Sequence, residues 1–173
     1  MQVYQNEKKQ VAIIKAHGCP VAILGSELLS KKDLVTLEYC LNTADLDSGN
    51  ENRETQVISF RDDNRVMDKD GKPLNGVVAP NINAIGINLL QIFSDAVVDC
   101  IDEPVISVVA AFHWRWIKTV LHEQHHLETL KDKNLWKMTE EEINESEDDA
   151  EKWATETLFA LAKTVDIDRN IIK

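Results

Sequence analysis

Apolar positions change period along the chain, from short runs in the first half to helical stripes in the second. Val11–Ile14 and Val21–Leu24 are short apolar runs separated by Gly18 and Pro20, which predicts two strands around a turn. The spacing of Leu34, Leu37, Tyr39 and Leu41 predicts a helix over Ser30–Asn42. Asp45–Arg53 is polar and turn-rich and is expected to be a loop, with a strand following over Gln56–Phe60. Arg61–Pro80 holds most of the turn chemistry, including Asp70-Gly71-Lys72-Pro73, and resembles a hairpin loop. It is not an EF-hand, because placing Gly71 sixth puts Val66 and Val77 at the first and last ligand positions. Ala84–Leu89 alternates, with Ile85, Ile87 and Leu89 on one face, as a half-buried strand does. Pro104 to about Lys131 reads as one long helix with Pro104 in its first turn, although Val105–Val109 is β-branched enough for a strand. The last helix is expected to open at a capping box, Thr139 with Glu142, and to run to about Lys163.

This order predicts an α+β domain, a small mixed sheet packed on two C-terminal helices. At 173 residues the chain suits one domain, strand-rich to about residue 95 and helical from about 96 to 173. No window approaches 18 consecutive apolar residues, and Met1–Gln10 lacks the layout of a secretory leader, so a cytoplasmic protein is expected. Cys19, Cys40 and Cys100 are widely spaced and odd in number, which argues against a disulfide framework and fits a reducing compartment. A formal net charge of −11 repels phosphate backbones, and no basic patch offsets it, so nucleic acid is not an expected partner. Much of the excess lies in Glu140–Glu151, with eight acidic residues and no basic one. Such a block suits a solvated helix face near the positive end of the helix dipole, or a face turned partly to a metal.

The chemistry is concentrated in His122-Glu123-Gln124-His125-His126, which contains H-E-x-x-H. On a helix, residues four apart project about 40° from each other, so His122 and His126 can offer imidazoles to one zinc ion. Glu123 projects about 100° from His122, where a general base acting on a metal-bound water belongs. Trp116, Ile117, Val120, Leu121, Leu127 and Leu130 cover the arc opposite the two histidines, so the helix is expected to bury one flank and turn His122 and His126 towards a cleft. His125 falls beside the motif and reads as a packing or supporting group, and His113 as structural. Zinc needs a third protein ligand. Glu147 lies at the edge of the last helix's apolar face (Ile143, Ala150, Trp153, Ala154, Leu158, Leu161), where a carboxylate is costly unless a cation meets it. Glu147 is therefore the expected third ligand, Glu151 an acceptor orienting a histidine N–H, and Asp149 the alternative ligand. Tyr39, Arg115 and His125 are the candidates for stabilising an oxyanion. Of the tryptophans, only Trp136 is placed to line a cleft between the two helices.

His122-Glu123-x-x-His126, with Glu147-x-x-Ala150-Glu151-x-Trp153-Ala154 in the last helix, resembles the gluzincin metallopeptidases. It is most similar to the small ImmA/IrrE-like enzymes, in which H-E-x-x-H precedes a helix carrying an E-x-E-A-[ND]-x-F-A-like motif. The resemblance spans roughly Ile82–Ala162, and this chain differs from the pattern at Gln124, His125, Asp149 and Glu151. No glycine follows His126, which excludes a metzincin. The resemblance implies a minimal zincin-like fold holding one Zn2+, and a peptidase directed at a narrow protein target. Glu123 would be the general base, and Ala84–Leu89 the edge strand along which an extended substrate binds. The competing expectation is a non-catalytic acidic interaction protein that keeps a structural or vestigial metal site and docks on a basic partner.

Overall fold

A computed structural model describes residues 2–6, 9–44, 55–63, 65–68, 70–102, 107–131, 133 and 137–164. The two expected N-terminal strands form a hairpin, β2 (Lys9–Ala16) and β3 (Cys19–Leu24). His17 and Gly18 close it, both at positive φ, as tight hairpin turns require. Ahead of them Gln2–Asn6, polar enough to carry no strand signal, adds as β1 antiparallel to β2. Helix α1 (Lys31–Thr43) starts at a full capping box: Ser30 Oγ accepts from Asp33 N–H at 3.2 Å, and Asp33 accepts from Ser30 N–H at 2.8 Å. The expected loop Asp45–Arg53 lies outside the described residues.

Strand β4 (Gln56–Arg61) runs parallel to β3, and its burial alternates strictly, Gln56, Ile58 and Phe60 facing inward. Beyond it the chain turns at Asp68, whose Oδ1 accepts from Asp70 and Lys72 N–H at 2.9 and 2.8 Å. Met67 pairs with Pro73 across this turn. The Arg61–Pro80 stretch is more than a loop, because Gly76–Ala79 forms strand β5. β6 (Ala84–Asn88) then pairs parallel with β4 and antiparallel with β5, giving a six-stranded mixed sheet in the order β1-β2-β3-β4-β6-β5. Ala84–Leu89 is therefore not an edge. Strand β6 is paired on both sides, and the edge beside it is β5.

The chain passes from β6 straight into α2 (Leu89–Asp102), with Asn88 Oδ1 accepting from Gln91 N–H at 3.1 Å as the cap. Helix α3 (Val108–Thr129) opens at Ser107, whose hydroxyl accepts from Ala110 N–H at 3.2 Å, and Pro104, the expected first-turn residue, lies outside the described residues. Val108 and Val109 are helical despite their β-branching, since a capped 22-residue helix outweighs two unfavourable propensities. Helix α4 (Glu140–Thr164) opens at the expected capping box, with Thr139 N–H donating to Glu142 at 2.8 Å and Glu142 N–H to Thr139 Oγ1 at 3.2 Å.

One face of the sheet supplies Ala12, Ile14, Val21, Ile23, Ile58, Phe60, Ile85 and Ile87 to a single core. Leu34 and Leu37 of α1, Ile92 of α2, Trp116 and Leu121 of α3, and Leu158 and Leu161 of α4 complete it. The fold class is α+β, as the sequence pattern predicts. No described helix is long and apolar enough to cross a membrane.

His113 is structural, as expected. Its Nε2 meets Asp33 Oδ1 at 3.1 Å and ties α3 to the first turn of α1. This hydrogen bond raises His113 above its ordinary value and, working from the other side, holds Asp33 down at about 2. A raised histidine stabilises in full below about pH 6.5 and loses its contribution as pH rises through its folded value; a depressed aspartate stabilises above about pH 4. Wild type should therefore exceed His113→Gln in melting temperature most between about pH 4 and 6.5, and by less at pH 9. The pair is partly exposed, so the margin should stay within about 1 kcal/mol. A margin that is constant across this range in thermal melts would refute the ion-pair account.

Candidate metal centre

Helix α3 buries the arc its sequence assigns to the core: Trp116, Ile117, Val120, Leu121, Leu127 and Leu130 are all buried. The opposite flank meets α4. Along α4, Ala150, Ala154, Leu158 and Leu161 are buried while Ile143, at the N-terminal end of the same predicted face, is exposed. Glu147 lies one turn before Ala150, so the stripe that packs on α3 continues from small apolar side chains into a carboxylate. It does so where α3 presents His122 and His126.

The three side chains converge. His122 Nε2 and His126 Nε2 are 3.0 Å apart, Glu147 Oε2 is 3.2 Å from His122 Nε2, and Glu147 Oε1 is 3.3 Å from His126 Nε2. Ligand atoms held 2.0–2.2 Å from a tetrahedral ion stand about 3.3–3.6 Å from one another, so only a slight expansion of this triangle would admit zinc. Two imidazoles and a carboxylate are also a donor set that zinc accepts. These three residues are the only group with metal-ligand spacing among the described residues.

Each histidine has a partner for its other nitrogen. His126 Nδ1 lies 3.3 Å from Ser146 Oγ, and His122 Nδ1 lies 3.7 Å from Glu151 Oε2. Such partners hold the ring and leave Nε2 free to act as a ligand. Ser146 carries no sequence signal of this role; only the packing of α4 brings it to His126. Glu151 is also paired with Lys118 of α3.

The electrostatics follow from crowding negative charge around partly buried rings. Burial is the largest influence on His122 and opposes its charge, but Glu147, Glu123 and Glu151 together outweigh it and raise its pKa. Hydrogen bonds from His122 and His126 hold Glu147 far below the usual carboxylate range. Glu123 behaves oppositely. Burial pushes it up to about 7, His122 pulls it back, and Glu147 adds to the rise.

Glu123 is buried beneath the edge strand. A Cβ on Gly76 of β5 would stand 2.5 Å from Glu123 Oε1 and 2.6 Å from its Cγ, so any other residue there would force the Glu123 side chain to move. The short run Gly76-Val77-Val78-Ala79 carries a faint strand signal in its two valines. Nothing in the sequence connects it to Glu123.

The remaining candidates fall elsewhere. Asp149 is not drawn into the triangle; it accepts a hydrogen bond from His125 Nε2 at 2.9 Å, and His125 stacks on Trp153 with ring centres 5.1 Å apart. His125 thus packs against α4, as expected of a supporting group. Arg115 is held by Asp99 at 2.5 Å and Asp95 at 3.8 Å, both on α2. Tyr39 is on the half-exposed side of α1, and Trp136 lies outside the described residues. The cysteines are free thiols, and burial pushes Cys40 up to about 12, beyond useful nucleophilicity. No protein-family model, curated protein or solved structure matches the chain.

Gln124, the polar residue inside the core arc, has a structural explanation. Its Oε1 accepts from Gln56 Nε2 of β4 at 2.5 Å, and both side chains are buried. Gln124→Leu should strand the Gln56 amide and cost about 1–3 kcal/mol, lowering the melting temperature by several degrees. Adding Gln56→Leu should recover much of the loss, which a double-mutant cycle reads directly. Additive losses would show that the two amides are not coupled.

Proposed function

We propose that this chain is a zinc-dependent endopeptidase of the HExxH gluzincin type on a minimal zincin-like fold. One Zn2+ per chain would be held by His122, His126 and Glu147. The observation that carries this reading is the triangle of two Nε2 atoms and a carboxylate with edges of 3.0–3.3 Å, beside a buried carboxylate on the same helix. When bound, zinc supplies Lewis-acid polarisation of a peptide carbonyl and acidifies water.

The chain's own groups do the rest. Glu123, with a proton affinity set near neutrality by burial, takes a proton from the attacking water and delivers it to the departing amine. Water thereby adds across the peptide C–N bond, leaving a carboxyl and an amine. Among the described residues β5 pairs only with β6, so its outer edge offers backbone groups to an extended peptide by strand addition. Gly76 on that strand lies directly over Glu123, which brings a strand-bound substrate close to the base.

Elemental analysis of protein purified without added zinc should find about one zinc in wild type and much less in Glu147→Ala. Zinc should raise the melting temperature of wild type, by about 2.7 kcal/mol of stabilisation at a hundredfold excess over Kd, and leave Glu147→Ala unmoved. Wild type that stays metal-free after zinc is supplied overturns the reading.

Activity requires its own test. Zinc-loaded wild type should generate new N-termini in a proteome-derived peptide library, scored by mass spectrometry, and Glu123→Gln should lose about 10²–10⁴-fold of that cleavage. Bound zinc without any Glu123-dependent cleavage would favour the second reading, an acidic interaction protein with a structural metal. That reading draws on the exposed Glu140, Glu141, Glu142, Glu145 and Asp148 of α4, which present an acidic surface to solvent.

A further inference from the structure

We propose that the chain self-associates as a two-fold dimer through the outer face of α2, away from the candidate metal centre. Leu89, Ile92 and Ala96 turn one side of this helix into the core, and Asp95 and Asp99 lie on a flank held by Arg115 of α3. Gln91 and Asp102 fall on the same side of the helix as the two aspartates, while Leu90, Phe93, Ser94, Val97, Val98 and Ile101 form an uncharged arc that projects outward. The apolar arc of this helix is wider than its contact with the core, so part of it is left in water.

The exposed apolar side chains are substantial: Leu90 is 45% exposed, Phe93 49%, Val98 54%, Ile101 73% and, on the neighbouring α3, Val109 65%. Phe112, one turn after Val109, meets Phe93 edge-on with ring centres 5.9 Å apart and joins the two helices' contributions. At about 150–200 Å² for a fully exposed side chain of this size, the patch amounts to on the order of 500 Å² per chain. Two such patches brought together remove about 1,000 Å² from water, the threshold for a specific interface, and flanking polar side chains add to it.

Charge selects a second copy over other occupants. Each chain carries a formal −11, so two copies can meet only where neither presents its acidic surface, and the α2 face is such a place. A face without charge gives no hold to a basic protein partner. An α2 face pairing with its own copy is isologous, so the association closes at two. Self-repulsion of the remaining charge makes association stronger as salt rises from about 50 to 500 mM, opposite to the trend for a basic partner.

Sedimentation equilibrium of the full chain, from about 1 to 100 µM at both salt concentrations, tests this. The expected result is a wild-type dimer, tighter at high salt, that becomes monomeric in Ile101→Glu and in Val98→Glu. Both positions are more than half exposed, so circular dichroism and melting temperature of the two variants should match wild type. A monomeric wild type at 100 µM overturns the proposal, including the case in which another part of this chain covers the face. A dimer that survives both substitutions with the fold intact overturns it too, because the contact then lies elsewhere. Zinc content should be the same in wild type and both variants, so the outcome is independent of the peptidase reading.

Discussion

The seating of α4 on α3 is the contact on which the candidate centre depends. Ala150 and Ala154 are fully buried, and side chains this small let the two helices approach closely. The same stripe continues to Glu147, and the facing positions on α3 are His122 and His126 rather than leucines. Glu147 is more than half exposed, so water shares in its solvation, and a protonated imidazole or a bound cation would meet it from the α3 side. Ser146, Glu151 and the His125–Asp149 pair reinforce the same helix contact from either side.

A second constraint acts through the sheet. Strand β5 ends the sheet, joined among the described residues only to β6, and it covers Glu123 at Gly76. The absence of a side chain at that one position lets an edge strand and a buried acid share the same space. The acid's raised pKa follows from this burial, since the carboxylate loses much of its hydration beneath the strand. Edge strand, base and histidine pair are thus positioned by two packing contacts, α3 on the sheet and α4 on α3.

Helix α2 is the element that local pattern concealed. Gln91, Asp95, Asp99 and Asp102 line one side of it, but nearly all its other positions are apolar whether they meet the core or water, and Leu89 continues the alternation of β6. The apolar arc is wider than the side that reaches the core, which leaves its outer part exposed in the folded chain. Strand β1 escaped for the opposite reason: its residues are mostly polar, and its place in the sheet is set by pairing with β2 rather than by its own pattern.

What the chain determines locally is legible without a structure. Capping boxes at Ser30 and Thr139, the glycine turn between β2 and β3, the alternation of Ile85 and Ile87, and the helical register that separates His122 and His126 from the core all depend on residues a few positions apart. That Glu147 rather than Asp149 lies beside the two histidines was also within reach, because it follows from angular position on one helix. Tertiary structure alone decided which strand forms the edge, that Gln56 satisfies Gln124, that Ser146 meets His126, and that Gly76 covers Glu123. These contacts join residues far apart in the chain. Side-chain periodicity says which face a residue occupies, but only chain packing says what lies opposite it.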